Sequence, residues 1–210
     1  MARLDQGLLG GYSGKLGTTV GATWKGINVV RTYQPNVANP NTQLQRDHRY
    51  KFREIAQLGS FFLASMVKPF WDKSAKKMSG YNAFVSMNAR AMSDSLQFDP
   101  MKFTIGNGQM GHVEVEMQLD KIAGVIMMGW DDEEQALYSQ PSDKFYAIAF
   151  NYVGEPIGYT MGTSKRTTSQ ASIKLIDGVD ASEAIVCYAW LSENGLQQSI
   201  TEHRELVDGE

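Results

Sequence analysis

The hydrophobic pattern of the chain changes from a helical period to an alternating period near residue 98. In residues 39–68 apolar side chains recur at steps of three and four, which predicts a helix with one buried stripe. Thr42 followed by Gln45 predicts a capping box at its start, and Pro69 predicts its end. The predicted stripe consists of Leu44, His48, Phe52, Ile55, Leu58, Phe62 and Met66.

A second helical region is predicted after Pro69, and a glycine-rich segment precedes the first helix. The second region is interrupted near residues 76–80 and resumes with apolar positions from Tyr81 to Met92. Residues 7–26 contain seven glycines, and neither period persists there. This composition predicts an extended arm that needs a surface to pack against. Residues 27–33 predict a short strand.

Beyond residue 98 the pattern predicts a series of short strands. Residues 112–120 alternate almost perfectly, with Val113, Val115, Met117 and Leu119 on one face. Asn194-Gly195 predicts a hairpin turn. The other predicted strands are residues 102–105, 125–130, 145–152, 157–161, 171–175, 184–191 and 197–201. Short strands separated by turns, with no βαβ alternation, are typical of an antiparallel sandwich.

The predicted fold class is therefore α+β: an N-terminal extended arm with two or three helices, followed by an antiparallel immunoglobulin-like β-sandwich. The corresponding divisions are residues 1–97 for the arm and helices, 98–202 for the sandwich and 203–210 for a polar tail that we expect to fray.

Charge divides the chain at the same place. Residues 1–97 hold 13 Lys and Arg against 5 Asp and Glu, whereas residues 98–210 hold 7 against 18. The resulting charges of +8 and −11 indicate either an anionic partner for the basic part or attraction between the two parts, within one chain or between copies. No run of residues is long and apolar enough to predict a signal peptide or a membrane span. We expect a cytoplasmic protein, or a component of a virion-like assembly.

The basic half supplies the candidate contact residues. Arg46, Arg49 and Arg53 lie near the start of the long predicted helix, and Lys25 and Arg31 lie before it. These five are the candidate contacts for a nucleic acid or a protein partner. Trp24, Tyr33, Tyr50 and Trp71 supply aromatic rings nearby. Arg49 is assigned to a different helix face from Arg46 and Arg53, so a continuous basic stripe is not predicted.

Several motifs with possible chemistry have simpler structural interpretations. Residues 106–111 match G-x-G-x-x-G, but a strand is predicted next where a dinucleotide site needs a helix. His48, His112 and His203 are far apart in sequence, and the acidic residues 131–134 lack calcium-loop spacing. Cys187 lies in an apolar run and is expected to be a core thiol. The sequence predicts no catalytic residues, no metal ligands and no cofactor.

The pattern of motifs along the chain resembles an uncharacterised Bacteroidota family catalogued as a domain of unknown function. The resemblance rests on the glycine-rich start, Trp24-Lys25-Gly26, the N-P-N-T-x-x-Q segment at residues 39–45, residues 80–88, Trp130-Asp131, Lys165-Arg166 and residues 188–195. It implies no known activity and no catalytic residues. A looser similarity connects the start of the chain to proteins encoded by phages and mobile elements.

These features predict a non-enzymatic structural or interaction protein, as a subunit of a phage-like or other repeated assembly. Its expected partner is protein, through self-association. The alternative is a nucleic-acid-binding protein that uses the basic half. An enzyme or a carbohydrate-binding module on the sandwich is a third hypothesis, because exposed aromatic residues cannot be located from the sequence.

Overall fold

A computed structural model describes residues 3–4, 11–131, 137–181 and 183–206. Residues 7–10 of the predicted arm, 132–134 of the acidic turn and 207–210 of the predicted tail lie outside the described residues. The fold contains three α-helices and three antiparallel sheets in the described part of the chain, which confirms the α+β class.

The glycine-rich segment, for which an extended arm was predicted, forms an antiparallel sheet in the described residues. The strands are β1 (Arg3–Leu4), β2 (Tyr12–Leu16), β3 (Thr19–Trp24) and β4 (Ile27–Thr32), and they pair in the order β1-β2-β3-β4. Lys25 and Gly26 both adopt positive φ, 44° and 81°, between β3 and β4. Two positive φ angles in a two-residue connection are typical of a tight hairpin turn. Gly26 therefore permits the tight turn that joins β3 to β4.

Three α-helices follow: α1 (Gln43–Phe61), α2 (Lys68–Trp71) and α3 (Gly80–Asn88). Thr42 caps α1 in the predicted capping box with Gln45. As predicted, α1 ends before Pro69: a π-helical turn (Leu63–Val67) links it to α2, and Pro69 lies in the first turn of α2. Proline lacks an N–H and is tolerated there. A 3-10 turn (Ala89–Ala91) extends α3.

The remaining strands form two sheets. In chain order they are β5 (Val115–Asp120), β6 (Val125–Trp130), β7 (Lys144–Phe150), β8 (Pro156–Lys165), β9 (Gln170–Lys174), β10 (Ile185–Leu191) and β11 (Glu202–Glu205). One sheet has the order β11-β10-β7-β8 and the other has the order β5-β6-β9. The edge strands β5 and β11 each have one paired neighbour.

Two hydrophobic cores lie on opposite faces of the β11-β10-β7-β8 sheet. Along β10, Val186, Tyr188 and Trp190 join the core shared with the β5-β6-β9 sheet. The alternate residues Cys187, Ala189 and Leu191 join the core shared with the helices. This sheet is therefore the middle of three layers, and burial on both faces explains the unbroken apolar run in its sequence.

The predictions for the chain beyond residue 98 agree with the structure in most places and differ in three. Residues 102–105 form no strand, since a 3-10 turn (Pro100–Lys102) and irregular backbone occupy this segment. Residues 198–200 make only isolated bridges. The start of the predicted tail forms β11, and Leu206 is buried in the core between the sheets, so fraying is wrong for residues 203–206. The immunoglobulin-like topology and the three-part division of the chain stay predictions. Among the described helices none is long and apolar enough to cross a membrane.

Candidate interaction surfaces

One face of the N-terminal sheet is apolar and open to solvent. Strand register places Ile27 opposite Trp24 and Val29 opposite Ala22, so these side chains share a face with Val20. Trp24 is 55% exposed and Val29 is 50% exposed. We call these five residues the N-terminal apolar face.

No second layer of the described structure covers this sheet. All six residues of β4 are exposed, and Gly21 is the single buried residue within β2, β3 and β4. The opposite face is mixed: Tyr12 hydrogen bonds with Thr19, Thr23 Oγ1 donates to Asn28 Oδ1 at 2.7 Å, and Val30 is 56% exposed. Lys25 Nζ donates to the carbonyl of Met78 and thereby links the sheet to the helical layer. A small sheet gains stability mainly by burying an apolar face, which here faces water.

The same region is strongly basic. Residues 6–46 contain Lys15, Lys25, Arg31 and Arg46 and no acidic residue. Register places Lys15 opposite Val20, and Arg31 also pairs with Val20, so both cations flank the N-terminal apolar face. The Lys15 Nζ also lies 3.8 Å from the ring centroid of Tyr33.

The first turns of α1 are exposed, which corrects the predicted buried stripe. Leu44 is 81% exposed and Phe52 is 57% exposed, and His48 is also exposed. Burial begins at Ile55 and continues through Phe62 and Met66. The helical period therefore predicted correctly which residues share one face of α1. The first half of that face is exposed, because the hydrophobic core covers only the second half of the helix.

Arg46, Arg49 and Arg53 line one depression of about 380 Å³ together with Tyr50, so the assignment of Arg49 to a separate face is wrong. Residues at i, i+3 and i+7 share one side of a helix. The Arg49 guanidinium donates to the side-chain oxygens of Asn39 and Asn41, which fixes the approach to α1. The Arg53 guanidinium lies 5.1 Å from the Tyr50 ring centroid and 3.4 Å from a Glu54 carboxylate oxygen.

The five sequence-predicted contacts therefore fall into two groups. Lys25 and Arg31 belong to the N-terminal sheet, and the three arginines belong to the first half of α1. Of the aromatic residues, Trp24, Tyr33 and Tyr50 are exposed, whereas Trp71 is buried and its indole N–H donates to the carbonyl of Ile105 at 3.0 Å. Trp71 is therefore part of the core.

A groove of about 1060 Å³ runs along the edge strand β5 and reaches β11; we call it the β5 groove. Val115, Trp130 and Leu206 are buried at its base, and Glu114, Glu116 and Glu205 are exposed at its rim. Gly129, without a side chain, lies opposite Glu116 in the register. The sequence showed the alternation of acids with apolar residues in β5, but it gave no sign that β5 would be an edge strand.

One end of the β5 groove is bridged by side chains. Arg204 donates to the Glu114 carboxylate, and His112 Nδ1 lies 3.4 Å from a Glu202 carboxylate oxygen. The Glu114 and Tyr188 side chains raise the pKa of the Arg204 guanidinium through hydrogen bonds. These contacts hold β11 beside the residues that lead into β5, so the open length of the groove lies along β5 itself.

The motifs with possible chemistry have structural roles. Residues 106–111 form a loop that bridges to residues 199 and 200 and is followed by a strand, so no helix terminus is available for a dinucleotide. Cys187 is fully buried as predicted, and burial raises the pKa of its thiol. No group of three potential metal ligands occurs among residues 3–4, 11–131, 137–181 and 183–206.

Comparison with protein families finds one match over most of the chain. Residues 11–201 match the model of a family of unknown function (DUF6266), and the chain belongs to that family. This confirms the resemblance to an uncharacterised domain family, while the Bacteroidota assignment and the looser similarity to phage proteins stay predictions. The comparisons with curated proteins and with solved structures yield no significant match.

Proposed function

We propose that this member of a family of unknown function is a non-enzymatic structural subunit that binds further copies of itself to build a repeated assembly, phage-like or other. The observation that carries the proposal is the uncovered N-terminal apolar face. Trp24 and Val29 are each at least half exposed, and neither the helices nor the other sheets cover them. Contiguous exposed apolar surface with a polar rim is typical of protein interaction sites.

Charge favours a second copy as the partner. The N-terminal sheet and the start of α1 are basic, and the residues from 98 onward carry a charge of −11. Contact between the basic part of one copy and the acidic part of the next uses two different surfaces. Such heterologous contacts generate rings or filaments. Opposite charges also steer the two copies together and make their association sensitive to salt.

Size-exclusion chromatography with multi-angle light scattering tests self-association over a range of protein and salt concentrations. We expect the average mass to rise with protein concentration and to fall as salt is added. Trp24→Ser should lower the mass at a given concentration, because it removes the largest exposed side chain of the N-terminal apolar face. Tyr152→Ser is the matched control: Tyr152 is 74% exposed in the connection between β7 and β8. A monomer at every concentration and salt would refute the proposal, as would equal effects of the two substitutions.

The second candidate function is nucleic-acid binding, which the shared face of Arg46, Arg49 and Arg53 beside Tyr50 favours. Guanidinium groups bind phosphates, and an adjacent aromatic ring can stack on a base. The test is retention of single-stranded and duplex DNA as salt increases. Arg46→Gln with Arg53→Gln should weaken retention and reduce its salt dependence, whereas Lys174→Gln, at an exposed position of β9, should not. Arg49 is left unchanged because it bonds to Asn39 and Asn41. Retention unaffected by the arginine substitutions would exclude this surface as the binding site.

A further inference from the structure

We propose that β4 of one copy pairs with the free edge of β5 in a second copy, so that the N-terminal sheet extends the β5-β6-β9 sheet across the contact. This inference rests on the proposed self-association and specifies the two elements that meet. Addition of a strand to an exposed sheet edge is a recurring mode of protein recognition, in which main-chain hydrogen bonds supply much of the affinity.

Both strands have the length and the free edge that this pairing needs. β4 is the last strand in the order β1-β2-β3-β4, and β5 is the first in the order β5-β6-β9. Each strand has six residues. An unpaired edge exposes a row of N–H and C=O groups, which proteins usually cover or protect. Pairing β4 with the open part of β5 would satisfy groups from both rows at once.

Charge favours pairing of β4 with β5 over pairing of two β4 strands or of two β5 strands. Lys25 precedes β4 and Arg31 lies within it, so two β4 edges repel each other. Glu116 lies on the β5 edge and Glu205 lies across the groove, so two β5 edges also repel each other. Repulsion between like edges is a recognised means of specifying the partner. The remaining combination, β4 with β5, places cations beside carboxylates.

The apolar contacts also match. A strand that lies along β5 presents alternate side chains to the groove, and in β4 these are Ile27 and Val29 on one face and Val30 on the other. The base of the groove offers Val115, Trp130 and Leu206. Because the Arg204–Glu114 contact bridges one end, the incoming strand has access along Glu116 and Gln118.

The two surfaces lie on different layers, which favours a contact between copies. Lys25 attaches the N-terminal sheet to Met78 in the helical layer, whereas β5 lies in the outer sheet, on the far side of the middle sheet. Each copy therefore offers a donor strand at one layer and an acceptor edge at another. Repetition of this contact generates a head-to-tail chain of subunits.

Disulfide trapping between two different variants, each with one cysteine added to the native Cys187, tests the register directly. The native Cys187 is buried, so its thiol should not form a disulfide between copies. One variant carries Val29→Cys or Val30→Cys, one for each face of β4, and the other carries Gln118→Cys on β5. The control is Ser172→Cys on β9, because Gln118, Met127 and Ser172 lie in one row across the same sheet. Ser172 is two strands from the β5 edge, about 10 Å away, which is too far for a disulfide with a strand paired to β5.

We expect mixed dimers with Gln118→Cys, with one β4 face preferred, and none above background with Ser172→Cys. Glu116→Lys should weaken association about twofold to fivefold, and Arg31→Glu in the partner should restore part of it. Equal trapping at positions 118 and 172, or no trapping in a sample whose mass still depends on salt and concentration, would overturn the strand pairing and leave the proposed self-association standing. A sample that stays monomeric throughout would refute both proposals.

Discussion

Replacing Arg166 by methionine tests whether a buried cation holds together the end of the two packed sheets. The Arg166 and Asp143 side chains are both fully buried, and Arg166 Nε lies 3.8 Å from Asp143 Oδ2. The guanidinium also lies 4.5 Å from the Trp190 ring centroid, and its Nη2 donates to the carbonyl of Gly111 at 3.2 Å. The Arg166 carbonyl in turn accepts from the Trp130 indole N–H at 2.8 Å. Methionine retains much of the apolar volume and removes the charge and the donors.

The expected loss of stability follows from the buried Asp143 carboxylate that remains when Arg166 is replaced. Removing one partner of a buried ion pair leaves the other charge without compensation and costs about 3–5 kcal/mol. We therefore expect the free energy of unfolding to fall by about 4 kcal/mol, a large part of the 5–15 kcal/mol that is typical of a folded domain. With a urea m-value of about 2 kcal/mol per molar, the unfolding midpoint should fall by about 2 M.

Urea unfolding followed by tryptophan fluorescence measures this loss, because Trp130 and Trp190 contact Arg166. Lys165→Met is the matched control: Lys165 is the preceding residue and is exposed, so its midpoint should hardly move. Asp143→Asn combined with Arg166→Met should be less destabilising than the sum of the two single effects, since the uncompensated charge disappears. A midpoint shift of Arg166→Met no larger than that of Lys165→Met would refute this account of the buried pair.

Three further predictions concern the loop before β5, the buried thiol and the helix cap. Gly108→Ala should lower the free energy of unfolding by about 1–3 kcal/mol, because the new methyl would lie 2.0 Å from the Gln198 carbonyl oxygen. Gly129→Ala is the control: the nearest atom to its new methyl is 4.0 Å away, so its free energy of unfolding should fall much less in the same urea titration. Burial raises the pKa of the Cys187 thiol, so a disulfide reagent at pH 8 should label it only as the protein unfolds in urea; rapid stoichiometric labelling of the native protein would contradict this. Thr42→Ala should reduce hydrogen-exchange protection in the first turn of α1 by about 1 kcal/mol, with little change in protection at Ile55. Equal losses of protection at both places would argue against a local cap.

Local patterns predicted most of the regular structure. The alternation in residues 112–120 corresponds to β5, whose burial alternates in the same register, and the apolar run at residues 184–191 corresponds to β10. The Thr42–Gln45 capping box was predicted correctly, because a cap depends on residues three apart. The glycine-rich segment was misinterpreted, because glycines that permit hairpin turns also interrupt the strand period from which strands are recognised.

The candidate surfaces were predicted only in part. Lys25, Arg31 and the three arginines of α1 were identified from charge and position, and the structure groups the three arginines on one side of the helix. The N-terminal apolar face was not predicted, since it depends on the register between β3 and β4. The exposure of Leu44 and Phe52 was not predicted either, because a helical period shows that residues share a face but not whether another element covers it.

The sequence by itself determined the α+β class, the positions of most helices and strands, and the opposite charges of the two halves. These properties depend on residues within a few positions of one another or on composition alone. The tertiary structure decided which strands stay at the edges, which half of α1 is buried and where the β5 groove opens. Those outcomes depend on contacts between residues far apart in the chain, such as Arg204 with Glu114 and the packing of Leu206 between the sheets. The residues next to each partner in the sequence do not indicate such a contact.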